Sequence, residues 1–102
     1  MAAPAYLIVY MNISDPERYK EYMARAPLAV KAAGGEYLVR GGRQEVLEGN
    51  LQPHRVAMLR FPSFEQAKAF YDSGLYREAR GFRANATEYF NAVLVEGVAA
   101  PV

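Results

Sequence analysis

The sequence predicts an α+β domain whose elements run β-α-β-β-α-β along the chain. Three observations predict it. An unbroken apolar run, Ala5 to Met11, stands near the start. Two later segments space their apolar residues as one helical face, each opened by a capping signal and closed by glycine. Short stretches rich in β-branched and aromatic residues lie between and after them, bounded by turn residues.

The run Ala-Tyr-Leu-Ile-Val-Tyr-Met reads as a central strand covered on both faces. It ends at Asn12-Ile13-Ser14-Asp15-Pro16-Glu17, where two helix starts compete: a capping box of Ser14 with Glu17, or Asp15 as N-cap with Pro16 at the first helical position. The first helix then places Tyr19, Tyr22, Met23, Ala26, Val30 and Ala33 on one face. Pro27 removes a backbone donor and frees the carbonyl of Met23, which predicts a kink or a break. Gly34-Gly35 supplies the left-handed cap.

Glu36 to Arg40 reads as the second strand, bulged at Gly41-Gly42 and resuming to Leu47. Glu48 to Pro53 is a turn region. His54 to Phe61 alternates as the third strand and completes a hairpin with the second. Ser63 and Gln66 form a capping box for the second helix, which buries Phe64, Ala67, Phe70 and Tyr71 and breaks at Ser73-Gly74. A further short helix runs from about Leu75 to Asn85, with Leu75, Ala79 and Phe82 inward. Thr87 to Val95 is the last strand. The predicted domain is 1–97, with a loose tail at 98–102.

Two β-α-β halves with right-handed crossovers give a four-stranded antiparallel sheet with its helices on one face. This is the ferredoxin-like arrangement. The other sheet face stays uncovered, yet the strands carry large apolar residues on both faces, as in Leu7 against Ile8, Met58 against Leu59 and Phe90 against Val93. A face meant for water would alternate with polar residues. The open face is therefore expected to meet a symmetric copy of the chain.

Composition excludes several classes. The 102 residues suit one domain, and 52% hydrophobic against 23% charged residues is a globular balance. A formal net charge of +1 gives no field for nucleic acid or an anionic membrane. The aromatic residues sit at core spacing and are not interleaved with a basic patch. With no cysteine, disulfides, thiolate metal sites and cysteine nucleophiles are all excluded. One histidine and no acidic cluster at ligand spacing argue against a metal, and no cofactor motif is found. Nothing resembles a signal peptide or a membrane span, so a cytoplasmic location is expected.

An ordered set of short motifs resembles one bacterial family. The set runs Asp15-Pro16-Glu17 with Tyr19 and Tyr22, Gly34-Gly35, Tyr37-Leu38-Val39-Arg40-Gly41-Gly42, Glu48-Gly49, Arg55, Phe61-Pro62-Ser63, Tyr71-Asp72-Ser73, Tyr76, Arg83 and Glu96-Gly97. The family is number 1330 among the domains of unknown function, within the dimeric α+β barrel superfamily. The resemblance implies a homodimer whose two sheets close into a barrel with helices outside. The family has no agreed activity. Superfamily relatives include cofactor-free monooxygenases, haem-degrading enzymes, polyketide cyclases and lactone isomerases, with a cavity between helices and sheet. Two positions depart from the pattern: Phe70 stands where tryptophan is common, and Arg60 where an acid is common.

Two readings compete at each candidate site residue. His54 is the one side chain whose ordinary pKa suits a general base at neutral pH, or it is an exposed histidine at a strand start. Tyr71 and Tyr76 flank the helix break, where a cavity mouth would lie, and Tyr76 is a catalytic candidate; both also read as packing tyrosines. Ser73 belongs to the same family motif and joins the ligand-binding candidates. Arg77, Arg80 and Arg83 form a narrow helical strip, either a carboxylate clamp or a solvated face, and Arg83 matches the family position. Arg40 and Arg60 lie in strands, where an inward guanidinium needs a carboxylate or a ligand as partner. The expected function is a cofactor-free enzyme acting on a small carboxylated or phenolic metabolite by proton transfer, isomerisation or oxygenation. The alternative is a non-catalytic small-molecule-binding or interaction module.

Overall fold

The computed structural model describes residues 3–99. Its elements are β1 (Ala5–Ile13), α1 (Pro16–Ala32), β2 (Glu36–Arg40), β3 (Arg55–Phe61), α2 (Phe64–Asp72), α3 (Gly74–Arg83) and β4 (Thr87–Glu96). The sheet order is β2-β3-β1-β4 and every neighbouring pair is antiparallel. This is the ferredoxin-like α+β fold. Residues 100–102 of the expected tail lie outside the described residues.

Strand β1 occupies the centre because it can be apolar on both faces. Ala5, Leu7, Val9 and Met11 are buried beneath the helices, whereas Tyr6, Ile8 and Tyr10 on the opposite face are only half-buried. The same parity runs through β3, where Ala57, Leu59 and Phe61 are buried and Arg60 is exposed. The short axis of the molecule is 17 Å, the depth of one sheet with one layer of helices. The radius of gyration is 14.1 Å, against roughly 13 Å for a rounder domain of this length. The molecule is a flat two-layer slab with one bare sheet face.

Helix α1 starts at Asp15, whose carboxylate accepts the Arg18 N–H at 3.1 Å, with Pro16 as the first helical residue. Its end is a Schellman turn: Gly34 N–H donates to the Lys31 carbonyl and Gly35 N–H to the Val30 carbonyl, with Gly34 at φ +75°. Gly35 also admits the Phe61 ring, which would stand 2.6 Å from any Cβ placed there. Phe61 is fully buried, so this close approach ties the helix end to β3.

The structure corrects three expectations. The break expected at Pro27 is absent, and helix α1 continues through it. The carbonyl of Met23 that Pro27 leaves without its helical donor is met instead by the Arg40 guanidinium from β2, at 3.4 Å. A partner from another element therefore replaces the missing bond. Second, β2 ends at Arg40 and does not resume; residues 41–54 are an exposed or half-exposed connection. Third, the irregularity in the β2–β3 ladder lies between Tyr37 and Val39, not at Gly41-Gly42. Gly41, at φ +73°, ends the strand.

Ser73 is the joint of the second helical segment. Its hydroxyl donates to the Phe70 carbonyl at 2.7 Å, closing α2, and accepts the Tyr76 N–H at 3.2 Å, opening α3. One serine thus serves both helix ends.

Replacing Pro27 restores the donor that α1 lacks. Pro27→Ala is expected to raise stability by about 1–3 kcal/mol, the ordinary cost of proline inside a helix less the loss of the Arg40 contact. The midpoint of urea unfolding measures it, and an unchanged or lowered midpoint would show that the Arg40 contact fully replaces the helical bond.

Candidate functional site

A cavity lies between the helices and the sheet. Its floor is Leu7, Val9 and Met11 of β1 with Ala57 and Leu59 of β3. Tyr19, Tyr22 and Met23 of α1 and Tyr76 of α3 form the roof, and Tyr37, Arg40 and Arg55 stand at the β2–β3 side. The cavity measures about 30 Å³, and about 420 Å³ with the free space of its open mouth. The smaller volume suits about two water molecules.

The roof is set by helical spacing. Tyr19 and Tyr22, three residues apart, share the buried face of α1, and the Ser73 cap holds Tyr76 in the first turn of α3. The hydroxyls of Tyr22 and Tyr76 meet at 2.7 Å across 54 residues of sequence. The bond uses only one of the two hydroxyl protons, so one O–H of the pair remains for another acceptor. The Tyr19 hydroxyl donates to the Met11 sulfur at 2.8 Å. The rings form a connected aromatic layer, with centroids 5.2 Å apart for Tyr19–Tyr22, 6.1 Å for Tyr22–Tyr76 and 4.4 Å for Phe70–Tyr76.

Cations surround these phenols. Arg55 occupies the space where a side chain on Gly41 would stand. Arg40 lies 4.6 Å from the Tyr37 ring centroid. Arg83 does not line the cavity; it sits behind it, 3.5 Å over the Phe90 ring and 5.3 Å from that of Tyr22. Its Nε is buried and has no hydrogen-bond partner among the described residues. Among the described residues no Asp, Glu or His lines the cavity.

The electrostatics follow from burial. Desolvation pushes Tyr19 up to about 12, against the opposing pull of Arg55 and Arg83. Burial likewise raises Tyr22, Tyr37 and Tyr76. At neutral pH these groups are hydrogen-bond donors and weak acceptors, and none is a base.

The residues singled out from sequence fall in three places. Tyr76 and Arg40 line the cavity. Tyr71, Ser73 and Arg83 stand behind it: Tyr71 packs 5.6 Å from Tyr76 with Arg80 over its outer face, Ser73 caps, and Arg83 covers Phe90. Arg60 and His54 lie elsewhere. Arg60 is on the open sheet face, 3.6 Å from Glu36, and its side chain is 44% exposed. His54 is exposed, its backbone N–H donated to the Asn12 side chain at 2.7 Å. Sequence reasoning missed Tyr19, Tyr22, Tyr37 and Arg55 as site residues. The parity of β3 puts Arg55 on the same face as Ala57 and Leu59, and that signal was available. Among the described residues no group of His, Cys, Asp and Glu could hold a metal ion, and no helix is long and apolar enough to cross a membrane.

The ordered motifs and this fold agree with one comparison in particular: the profile of the family described as Domain of unknown function (DUF1330) matches residues 4–98. The chain belongs to that family. Among solved structures it resembles RPA0582, a protein of unknown function from Rhodopseudomonas palustris, with 17% identity, 98% of this chain and 86% of that one covered, and a TM-score of 0.79. A dimeric ferredoxin-like protein of unknown function from Jannaschia matches at 14% identity over 91% and 98% of the chains, with a TM-score of 0.67. A proposed antibiotic biosynthesis monooxygenase from Nitrosomonas europaea matches at 16% identity over 96% and 93%, with a TM-score of 0.58. At these identities the likeness is one of fold. No curated protein matches the sequence.

The buried phenols of this DUF1330 chain make it sensitive to alkali. Tyr19 holds its proton to about pH 12 when folded and to about 10 when unfolded, so the unfolded chain binds fewer protons between those values. Stability is therefore full below about pH 10 and is lost as pH rises towards 12. Absorbance at 295 nm should show Tyr19, Tyr22, Tyr37 and Tyr76 ionising only as the far-ultraviolet circular dichroism collapses. Smooth titration of all 8 tyrosines in a folded chain would contradict the burial.

Proposed function

We propose that the open mouth of the helix–sheet cavity binds a small carboxylated or phenolic metabolite, whose polar group reaches the small interior, and that the chain works as a homodimer joined through its open sheet faces. The observation that carries the ligand reading is the one-sided chemistry of the cavity. Its polar lining is phenol hydroxyls and guanidinium groups, with no carboxylate among them. A ligand that offers oxygen acceptors and negative charge is the complement of such a lining. The spare hydroxyl proton of the Tyr22–Tyr76 pair supports it, because it is a donor without an acceptor.

The dimer reading rests on the bare face. Val93 and Val95 of β4 are 51% and 45% exposed beside half-buried Ile8, Met58 and Val39. The connection at 41–54 adds Leu47, 82% exposed, and Leu51, 47% exposed, around a groove at the edge of this face. A contiguous apolar surface of this kind marks an interface.

The chemistry expected of such a site is cofactor-free conversion of the bound metabolite. A second reading, binding without turnover, is favoured by one observation: the cavity lining holds no group that takes a proton at neutral pH. A substrate-loss assay on any metabolite that co-purifies with the chain separates the two.

Benzoate and phenol serve as probes of the ligand reading. Titration followed by amide nuclear magnetic resonance is expected to move the signals of Tyr22, Arg55, Tyr76 and their neighbours. Arg55→Ala should weaken benzoate about tenfold, the loss of one charge-assisted contact. Shifts confined to the outer helix surfaces would sink the cavity as the binding site. For the dimer, Met58→Glu places a charge at the middle of the bare face. Sedimentation should change from a dimer in the wild type to a folded monomer in the variant, and a monomeric wild type would end that reading.

A further inference from the structure

We infer that the cavity holds its ligand as an anion: the ligand is a weakly acidic enol or phenol whose own ionisation the site promotes, with the proton released to water. The inference rests on the ligand reading above and narrows it to one chemical class and one ionisation state.

The argument starts from what can face a bound molecule. Strand β1 and helix α2 present only Leu7, Val9, Met11 and Phe70, and β4 presents Phe90. The ionisable groups are Tyr19 and Tyr22 from α1, Tyr37 and Arg40 from β2, Arg55 from β3 and Tyr76 from α3, with Arg83 behind. Every one is a cation or a neutral donor at pH 7. A phenol or enol that enters with its proton finds no base among the described residues to receive it. The chain's one histidine is exposed outside the cavity, and no carboxylate lines it.

The same groups suit the anion. An opposite charge within about 4–6 Å lowers the pKa of an acid by about 1–3 units, and both Arg40 and Arg55 line the space. The Tyr22–Tyr76 pair can donate its spare proton to an oxyanion as it would to few neutral groups. Desolvation opposes ionisation, as it does for the tyrosines themselves. Those tyrosines stay protonated because burial outweighs the opposing pull of the nearby arginines. A ligand at the mouth, beside exposed Arg40, keeps more solvent and nearer cations. The balance is simple: the ligand O–H bond breaks, its proton passes to water, and the anion stays with the guanidinium groups. Any later reaction starts from that anion and needs no base from the protein.

The test uses 4-nitrophenol, whose phenolate is coloured and whose pKa lies near neutrality. Its absorbance is titrated against pH with and without excess wild-type protein. The expected result is a fall in apparent pKa of about one unit, equivalent to about tenfold tighter binding of the phenolate than of the phenol. Arg55→Gln should abolish most of the fall, and Arg55→Lys, which keeps the charge, should restore it. Amide signals of Tyr22 and Tyr76 report whether the probe is in the cavity. Binding there with an unchanged or raised pKa overturns this inference and leaves the ligand reading standing. A fall that persists in a folded Arg40→Gln/Arg55→Gln double variant overturns it too. If neither nitrophenol nor benzoate reaches the cavity signals, the ligand reading itself fails and this inference with it.

Discussion

The Tyr22–Tyr76 hydrogen bond joins α1 to α3 over the middle of the sheet, and the rest of the interior is arranged around it. A phenol cannot be buried without a partner for its hydroxyl, and here each tyrosine supplies the other's. The rings then extend the contact in both directions, to Tyr19 and Met11 on one side and to Phe70 and Phe61 on the other. This layer separates the cavity from the outer helix surfaces. The same tyrosines that satisfy one another in the core also line the void.

The backbone devices around the layer are economical. Ser73 ends one helix and starts the next, and by doing so holds Tyr76 at the height where it meets Tyr22. Gly35 lets Phe61 approach the end of α1. Gly41 leaves room for Arg55 at the mouth. Pro27 interrupts the bonding of α1 without interrupting the helix, and the carbonyl it frees attracts Arg40 across the mouth. Proline in a helix is usually explained by a kink; here it creates an acceptor that a strand residue answers.

The two faces of the sheet have separate roles. The helix-covered face carries the core and the cavity, whose charged lining residues are Arg40 and Arg55. The bare face carries Ile8, Met58, Val93 and Val95, with the Arg60–Glu36 pair at its rim. Period-two alternation keeps these sets apart, so Arg55 and Arg60, five residues apart on one strand, belong to different surfaces. Residue type alone did not distinguish them as ligand candidates.

Element order, helix caps and the apolar bare face were legible in the sequence because each depends on local rules: a period of two or 3.6, a serine before a helix, a glycine after one. Tyr76 and Arg40 could be named from their positions beside a helix break and in a strand. The remaining site was not legible, because it depends on which distant side chains share one space. Tyr22 reads from sequence as a packing residue, and only its meeting with Tyr76 gives its hydroxyl a role. His54 reads as a base by its chemistry, and only the end of β2 at Arg40 and the Asn12 contact leave it exposed outside the cavity. Sequence thus determined the elements and the two-faced sheet, since local propensity and periodicity act within a few residues. Tertiary structure decided which donors converge and that no base joins them, since convergence is a property of packing between segments far apart in the chain.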